Sequence, residues 1–248
     1  MNSVDRIPAL RRLWQEAFGD DEGFLDKFFT FGFSPDRCRF ISDGEHVAAA
    51  LYWFDVSCRG QKMAYIYGVA TGISYRNRGL CRRLMEDTRR HLTEQGYAGI
   101  LLVPQNPGVI RMYEKMGYAP CTKVSQFRAT AQAPAAVLQK LSPEEYARRR
   151  RALLPEDGVV QEGENLAFLS SYASFWGGEN FLAAIATEGE KLQCPELLGD
   201  VSQAPHILEA LNCREGFFRV PGQNQNFSML FAIKDTCPKP GYFGHAFD

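Results

Sequence analysis

The chain has 248 residues and is 45% hydrophobic, so it can bury a sizeable core in one large domain or two ordinary ones, and its composition argues against disorder. Its 28 basic and 29 acidic side chains leave a net charge of -1, which excludes a surface built as a whole for nucleic acid or anionic membrane while still allowing a local basic site. Seven scattered cysteines, with no C-x-x-C pair and no histidine at ligand spacing, predict reduced and mostly buried thiols, a cytoplasmic setting and no metal site. No window approaches the roughly 18 apolar residues of a membrane span. The N-terminal "MNSVDRIPALRRLWQEAF", with Asp5 and Glu16, does not read as a secretory signal.

Two helical stripes open the chain, Leu10, Leu13, Trp14 and Phe18 and then Phe24, Leu25, Phe28 and Phe29, broken at Gly19-Asp20-Asp21. "RCRFISDGEHVAAALYWFDVSCRGQKMAYIYGVAT" then predicts three antiparallel strands, with turns at Asp43-Gly44 and Arg59-Gly60. From Gly79 to about Gln95, Cys81, Leu84, Met85, Thr88 and Leu92 fall on one helical face. The apolar run "GILLV" suits a strand buried on both sides, and "NPGVIRMYEKMGY" predicts a short helix stopped by Gly117. Strand, helix, strand, helix, strand makes an α/β unit with a mixed sheet.

Alanine and proline enrichment in "ATAQAPAAVLQ" places a boundary near 130–140, giving domains over 1–130 and 138–248. The second opens with the capping box Ser142-x-x-Glu145. It loosely repeats the element order of the first: helix "PEEYARRRRALL", a helix through Leu166, Leu169, Tyr172 and Phe175, strands at "NFLAAIAT" and "CPELLGD", helix "QAPHILEALN", then strands "EGFFRVPG", "NFSMLFAIKD" and "YFGHAF". The run "ARRRRAL" at 147–153 reads as the solvated face of its helix.

Arg76-Asn77-Arg78-Gly79 lies between a strand and a helix N-terminus, where unpaired N–H groups and the helix dipole favour an anion. Glycine lets the backbone approach closely, and Arg76 and Arg78 can fork onto phosphate oxygens, whereas Arg89 and Arg90 read as helix surface. These residues resemble the Arg/Gln-x-x-Gly-x-Gly/Ala motif of the GCN5-related N-acetyltransferase (GNAT) superfamily, with Cys81 in place of the final small residue. Asn106, Val109, Tyr113, Gly117 and Tyr118 are similar to the family's second motif, and the resemblance covers roughly residues 5–128. "YGVATGISYRNRGL" with "LVP" looks most like the enhanced-intracellular-survival branch, whose members carry tandem acetyltransferase-like domains. A third, sterol-carrier-like domain of longer members is not expected in a chain ending at Asp248.

The resemblance implies a first copy that binds acetyl-coenzyme A (acetyl-CoA) and a degenerate second copy without the CoA motif, since no arginine or glycine loop follows "ELLGD". It implies cofactor contacts from Val69, Ala70, Thr71, Arg76, Asn77, Arg78, Gly79, Leu80, Cys81 and Asn106, with backbone N–H groups near Val69–Thr71 polarising the thioester and Tyr113 as general acid. Acetyl transfer to an amine of pKa near 10.4 also requires that a proton be removed. The base is left open among Glu45, His46, Asp55, the terminal carboxylate of Asp248 and an ordered water. Phe28, Tyr52 and Trp53 are candidates to line the acceptor pocket, although such aromatics commonly build core. The expected function is therefore an acetyl-CoA-dependent N-acetyltransferase acting on a primary amine of a small molecule or peptide. A non-catalytic acyl-CoA sensor is the alternative. The expected partners are acetyl-CoA and an amine acceptor, with neither nucleic acid nor membrane, and the oligomeric state, a homo-oligomer included, is left open.

Overall fold

A computed structural model describes residues 4–247. The chain divides into two compact units, Met1–Ala119 with Met229–Pro238, and Pro120–Ser228 with Lys239–Asp248.

In the first unit, α1 (Ile7–Phe18) carries a proline in its first turn and ends on Gly19 in the left-handed region, as the sequence pattern requires. It buries Ala9, Leu10, Leu13 and Trp14. The Asp21 side chain caps α2 (Glu22–Lys27) by accepting from the Phe24 N–H at 2.7 Å, and the helix runs on into a wider turn over Phe28–Gly32. Strands β1 (Cys38–Asp43), β2 (His46–Cys58) and β3 (Gln61–Thr71) form the expected antiparallel meander. The amphipathic α3 (Leu80–Glu94) buries Leu84, Met85, Thr88 and Leu92 and leads into β4 (Gly99–Leu102), which is parallel to β3. After α4 (Pro107–Glu114) comes the two-residue β5 (Ala119–Pro120). Met229–Ala232, from late in the chain, pairs antiparallel with β4, so the sheet runs β1, β2, β3, β4, Met229–Ala232, β5. Leu51, Trp53, Ile66, Leu84, Leu92 and Ile100 anchor the core on the α3 side.

The second unit contains β6 (Lys123–Thr130), β7 (Gln139–Leu141), α5 (Pro143–Leu153), α6 (Glu164–Ser170), β8 (Ser174–Gly177), β9 (Phe181–Glu188), β10 (Lys191–Gly199), α7 (Ala204–Ala210), β11 (Glu215–Pro221) and β12 (Gln225–Asn226). Their order in the sheet is β12, β6, β11, β10, β9, β8, β7. Its core is built on Phe181, Leu192, Leu197, Ile207, Leu208 and Phe218.

Non-local pairing corrects the sequence reading in three places. Residues 123–130, expected in the first domain, pair with β11, while Met229–Ala232, expected in the second, pairs with β4. The units therefore interleave in sequence and do not divide near 130–140. Phe175, expected on a helix, lies in β8, and "YFGHAF" forms no strand beyond a single bridge from Tyr242 to Gly158. The internal repeat is visible in the topology: β9, β10, α7, β11 reproduces β2, β3, α3, β4 as an antiparallel pair, a crossover helix and a parallel strand.

The run 147–153 is also not a uniform solvated face. Arg148, Arg149 and Arg151 pair with Glu145 or Glu162 near the surface, but Arg150 is 2% exposed and grips Glu196 with two bonds, Nε to Oε2 at 2.6 Å and Nη2 to Oε1 at 2.9 Å. The Tyr146 hydroxyl donates to the same carboxylate at 2.8 Å, and His245 Nε2 lies 3.0 Å from it. Burial alone would raise the pKa of Glu196, yet Arg150 and His245 outweigh it and hold the carboxyl well below its usual range. His245 belongs to a buried C-terminal segment strapped to residues 157–161: Gly241 N–H donates to the Asp157 carbonyl (3.0 Å), Val159 N–H to Tyr242 (2.8 Å), and the Gln161 amide bonds both the carbonyl and the N–H of His245 (2.6 and 3.2 Å). Burial lowers the imidazole pKa against the opposing pull of Glu196. Among the described residues its Nδ1 has no partner, so a second ring proton would find no acceptor.

Arg150→Ala leaves a buried carboxylate without its counter-ion, and urea denaturation is expected to show a loss of about 3–5 kcal/mol. With the folded pKa of His245 below its unfolded value of about 6.5, the unfolded chain binds the extra proton first. Stability should therefore fall as pH drops below about 6.5 and stay level above it. A denaturation series across that range should give a shallower pH slope for His245→Gln; an equal slope would assign the effect to another group.

Candidate active site

The site is positioned by an irregularity in β3. Ala50 pairs with Ala70 and Tyr52 with Tyr67, so Gly68 and Val69 together oppose Leu51 in a β-bulge. Gly68 has φ +60, and a Cβ there would come within 2.6 Å of the Trp14 ring, so both conformation and space demand glycine. Parallel pairing with β4 ends at Tyr65 and Leu101 while β3 continues to Thr71. Beyond the bulge, the backbone of Val69, Ala70 and Thr71 thus leaves the β4 ladder and heads for the loop before α3.

That loop is tightly tied. Gly72 N–H donates to the Ala48 carbonyl (3.0 Å), Ile73 N–H to the Glu16 carboxylate (2.7 Å), the Tyr75 hydroxyl to Asp43 (3.1 Å) and Arg76 Nε to the Thr71 carbonyl (3.3 Å). Asn77 and Gly79 have φ of +61 and +73 and deliver the chain into α3. The caps of α2, α4 and α5 use a side-chain oxygen, whereas Gly79 brings none, and the first bond within α3 runs from Arg83 N–H to the Gly79 carbonyl. The N–H groups of Leu80, Cys81 and Arg82 are therefore left to an external acceptor. A Cβ on Gly79 would meet no atom within 4 Å, so space is open beside this glycine, and Arg76, Asn77 and Arg78 are exposed. The arrangement suits a phosphate. Arg89 and Arg90 stand apart: Arg89 lies over the Phe231 ring (4.8 Å) and Arg90 pairs with Asp87 (3.0 Å).

On α4, Tyr113 is 5% exposed and packs on Tyr118 (ring centroids 5.6 Å apart), with Cys81 at the edge of the same core. Burial, reinforced by Cys81, raises its pKa above the ordinary phenol value, so the hydroxyl keeps its proton at neutral pH. The Asn106 side chain accepts from the Val109 N–H at 3.1 Å and is the N-cap of α4.

The three candidate pocket aromatics are not brought together. Tyr52 and Trp53 are neighbours on β2 and point to opposite faces of the sheet. Tyr52 and Phe28 touch, with centroids 5.0 Å apart, within an aromatic cluster around Trp14, while Trp53 lies in the α3 core with Leu84 and Leu92. All three are at most 3% exposed, so packing is what the structure gives them. Of the base candidates, Asp55 faces Ala64, four residues or roughly 13 Å along the strand from the bulge, and is engaged by Lys62 (3.3 Å) and Tyr97. Glu45 and His46 sit exposed at the turn from β1 to β2. Asp248 lies outside the described residues. The sequence reading missed Glu16 and Asp43, which tie down the loop from elements distant in the chain; no local pattern marks them.

In the second unit a carboxylate also holds the corresponding turn after β10. Asp200 accepts from the N–H and hydroxyl of Ser202 (3.0 and 2.6 Å), much as Glu16 accepts from Ile73 in the first unit, and α7 then follows directly, with no counterpart of the arginine and glycine loop 76–79.

Residues 3–121 match the family model described as "Acetyltransferase (GNAT) domain". Residues 3–121 are a GNAT acetyltransferase domain. The GNAT family uses acetyl-CoA. Similarity of fold extends over both units. A GCN5-related N-acetyltransferase from Anabaena variabilis superposes with a TM-score of 0.72 at 16% identity, covering 94% of this chain and 72% of that one. Eis1 from Mycobacterium abscessus gives 0.66 at 10% identity over 94% and 73%. A tandem GNAT protein from the clavulanic acid biosynthesis pathway gives 0.53 at 11% identity over 94% of both chains. The fold is thus that of tandem GNAT-like domains with two mixed sheets. No curated protein matches the chain.

Gly68→Ala must push a methyl group into Trp14 at a positive φ. It is expected to destabilise the GNAT domain by about 1–3 kcal/mol, read as a lower denaturation midpoint with quenched or shifted tryptophan emission.

Proposed function

We propose that the first unit binds acetyl-CoA along the free edge of β3 and transfers its acetyl group to a primary amine of a small molecule or peptide. The observation that carries this reading is the uncapped start of α3, where two exposed arginines and three backbone donors without an intrahelical partner adjoin a glycine with open space beside it. Those groups would hold the pyrophosphate, and the backbone N–H groups of Val69–Thr71 would orient the pantetheine arm and polarise the thioester carbonyl. When bound, acetyl-CoA supplies an activated acyl group with a thiolate leaving group. Tyr113, kept protonated by its burial, is the donor assigned to that sulfur. Asn106 acts through its cap, fixing the first turn of the helix that carries Tyr113. The second unit, which has no counterpart of the arginine and glycine loop before its crossover helix α7, is assigned no cofactor.

No helix among the described residues is long and apolar enough to cross a membrane. We assign the protein to the cytoplasm on the strength of its free cysteines.

Calorimetric titration with acetyl-CoA is expected to give one site per chain. Ligand at 100 times Kd should stabilise the folded chain by about 2.7 kcal/mol, measurable as a rise in Tm. Arg78→Ala should weaken binding about tenfold or less and leave the remainder to the backbone donors. A thiol-release screen against polyamines, aminoglycosides, amino acids and peptide amines should identify the acceptor. With that acceptor, Tyr113→Phe should lower kcat on the order of a hundredfold while leaving the Kd for acetyl-CoA within about twofold. Full activity of Tyr113→Phe would remove the tyrosine from the chemistry. Binding without turnover across the panel would instead favour an acyl-CoA sensor.

A further inference from the structure

The loop that seats the phosphate is itself held by carboxylates, the opposite of what electrostatic attraction for an anion would select. Glu16, from α1, accepts from the Ile73 N–H at 2.7 Å, and Asp43, at the end of β1, accepts from the Tyr75 hydroxyl at 3.1 Å. Each brings a negative charge to the loop whose next residues are Arg76, Asn77, Arg78 and Gly79, and each therefore weakens the field that draws a phosphate in. A feature that works against ligand charge in this way needs a compensating role, and the contacts of Tyr75 supply one.

Tyr75 is confined on three sides. A Cβ on Gly72 would lie 3.2 Å from Tyr75 Cδ2, so the ring packs directly on the Gly72 backbone. Its hydroxyl is committed to Asp43, and that bond is the largest influence raising the phenol pKa, so the group remains the donor. The ring carries the Arg78 guanidinium over its face, with Cζ 5.6 Å from the centroid. Arg78 is otherwise exposed and would have to give up the freedom of a long side chain on meeting a phosphate.

Resting on the reading that Arg76–Cys81 seats the pyrophosphate, we propose that Asp43 and Tyr75 form a positioning clamp for Arg78. Asp43 fixes the phenol, the phenol sets the ring plane, and the ring holds the guanidinium beside the free N–H groups of α3 before the ligand arrives. Asp43 and Tyr75 are positioning residues and touch no ligand atom. The negative charge of Asp43 is tolerated because the oxygen acceptor is what the clamp requires.

The test separates an acceptor role from a charge role, using the full chain, coenzyme A as the titrant and calorimetric Kd as the readout. Tyr75→Phe and Asp43→Ala are each expected to raise Kd about threefold to tenfold, and the double variant no more than the weaker-binding single, because both remove the same bond. Asp43→Asn, whose amide oxygen can still accept the hydroxyl, is expected to stay within about twofold of the wild type. The ligand-free variants should all melt with the wild type, which distinguishes loss of positioning from loss of fold. Tighter binding by both Asp43→Ala and Asp43→Asn would show that Asp43 acts only as a repelling charge and would overturn the clamp. A wild-type Kd for Tyr75→Phe would overturn it as well while leaving the cofactor reading intact. Failure of the wild-type chain itself to bind coenzyme A would overturn the cofactor reading, and the clamp with it.

Discussion

Everything distinctive about the first unit depends on β3 outlasting its partner. Pairing with β4 stops at Tyr65 and Leu101, and from there to Thr71 the strand is guided by the Gly68 bulge and by β2 alone. The bulge exists because Trp14, inserted from α1, leaves no room for a side chain at position 68. An aromatic cluster on one face of the sheet thereby packs against the stretch where β3 runs on past β4. The phosphate loop then continues in the direction the bulge has set.

The two units repeat one topology but differ in the loop between the central strand and the crossover helix. In the first, Glu16 of α1 holds the turn after β3 and residues 76–79 lead on to α3; in the second, Asp200 holds the turn from within and α7 follows at once. Both central strands carry a bulge, with Cys194 and Pro195 opposing Ile185 just as Gly68 and Val69 oppose Leu51, so Glu196 follows its bulge as Ala70 follows the other. In the first unit that position is the small, buried Ala70. A buried glutamate, matched by Arg150 and backed by His245, consolidates the second around its own C-terminal segment.

Much of the local geometry around Gly79 was legible in the chain because its signals are local. A strand, then arginines and a glycine, then an amphipathic face define a helix start whatever lies around them, and Ser142 announces its cap by identity and spacing. The aromatic pocket was not legible. Adjacent Tyr52 and Trp53 look like one feature in a string of letters but face opposite sides of a strand covered on both faces. The buried state of Arg150 was equally hidden, since four consecutive arginines read as solvent-facing until Glu196, far along the chain, takes one of them inside.

The sequence by itself determined the α/β class, the order of nearly all the elements and the start of a helix just after Gly79, because helix periodicity, strand alternation and turn chemistry act over a few residues. Only the tertiary structure decided that Met229–Ala232 completes the first sheet, that Lys123–Thr130 belongs to the second, and that Glu16, Asp43 and Tyr75 hold the phosphate loop. Those choices are made by hydrogen bonds and side-chain contacts between segments far apart in the chain. Their free energy depends on which surfaces meet, and a local pattern carries no record of that.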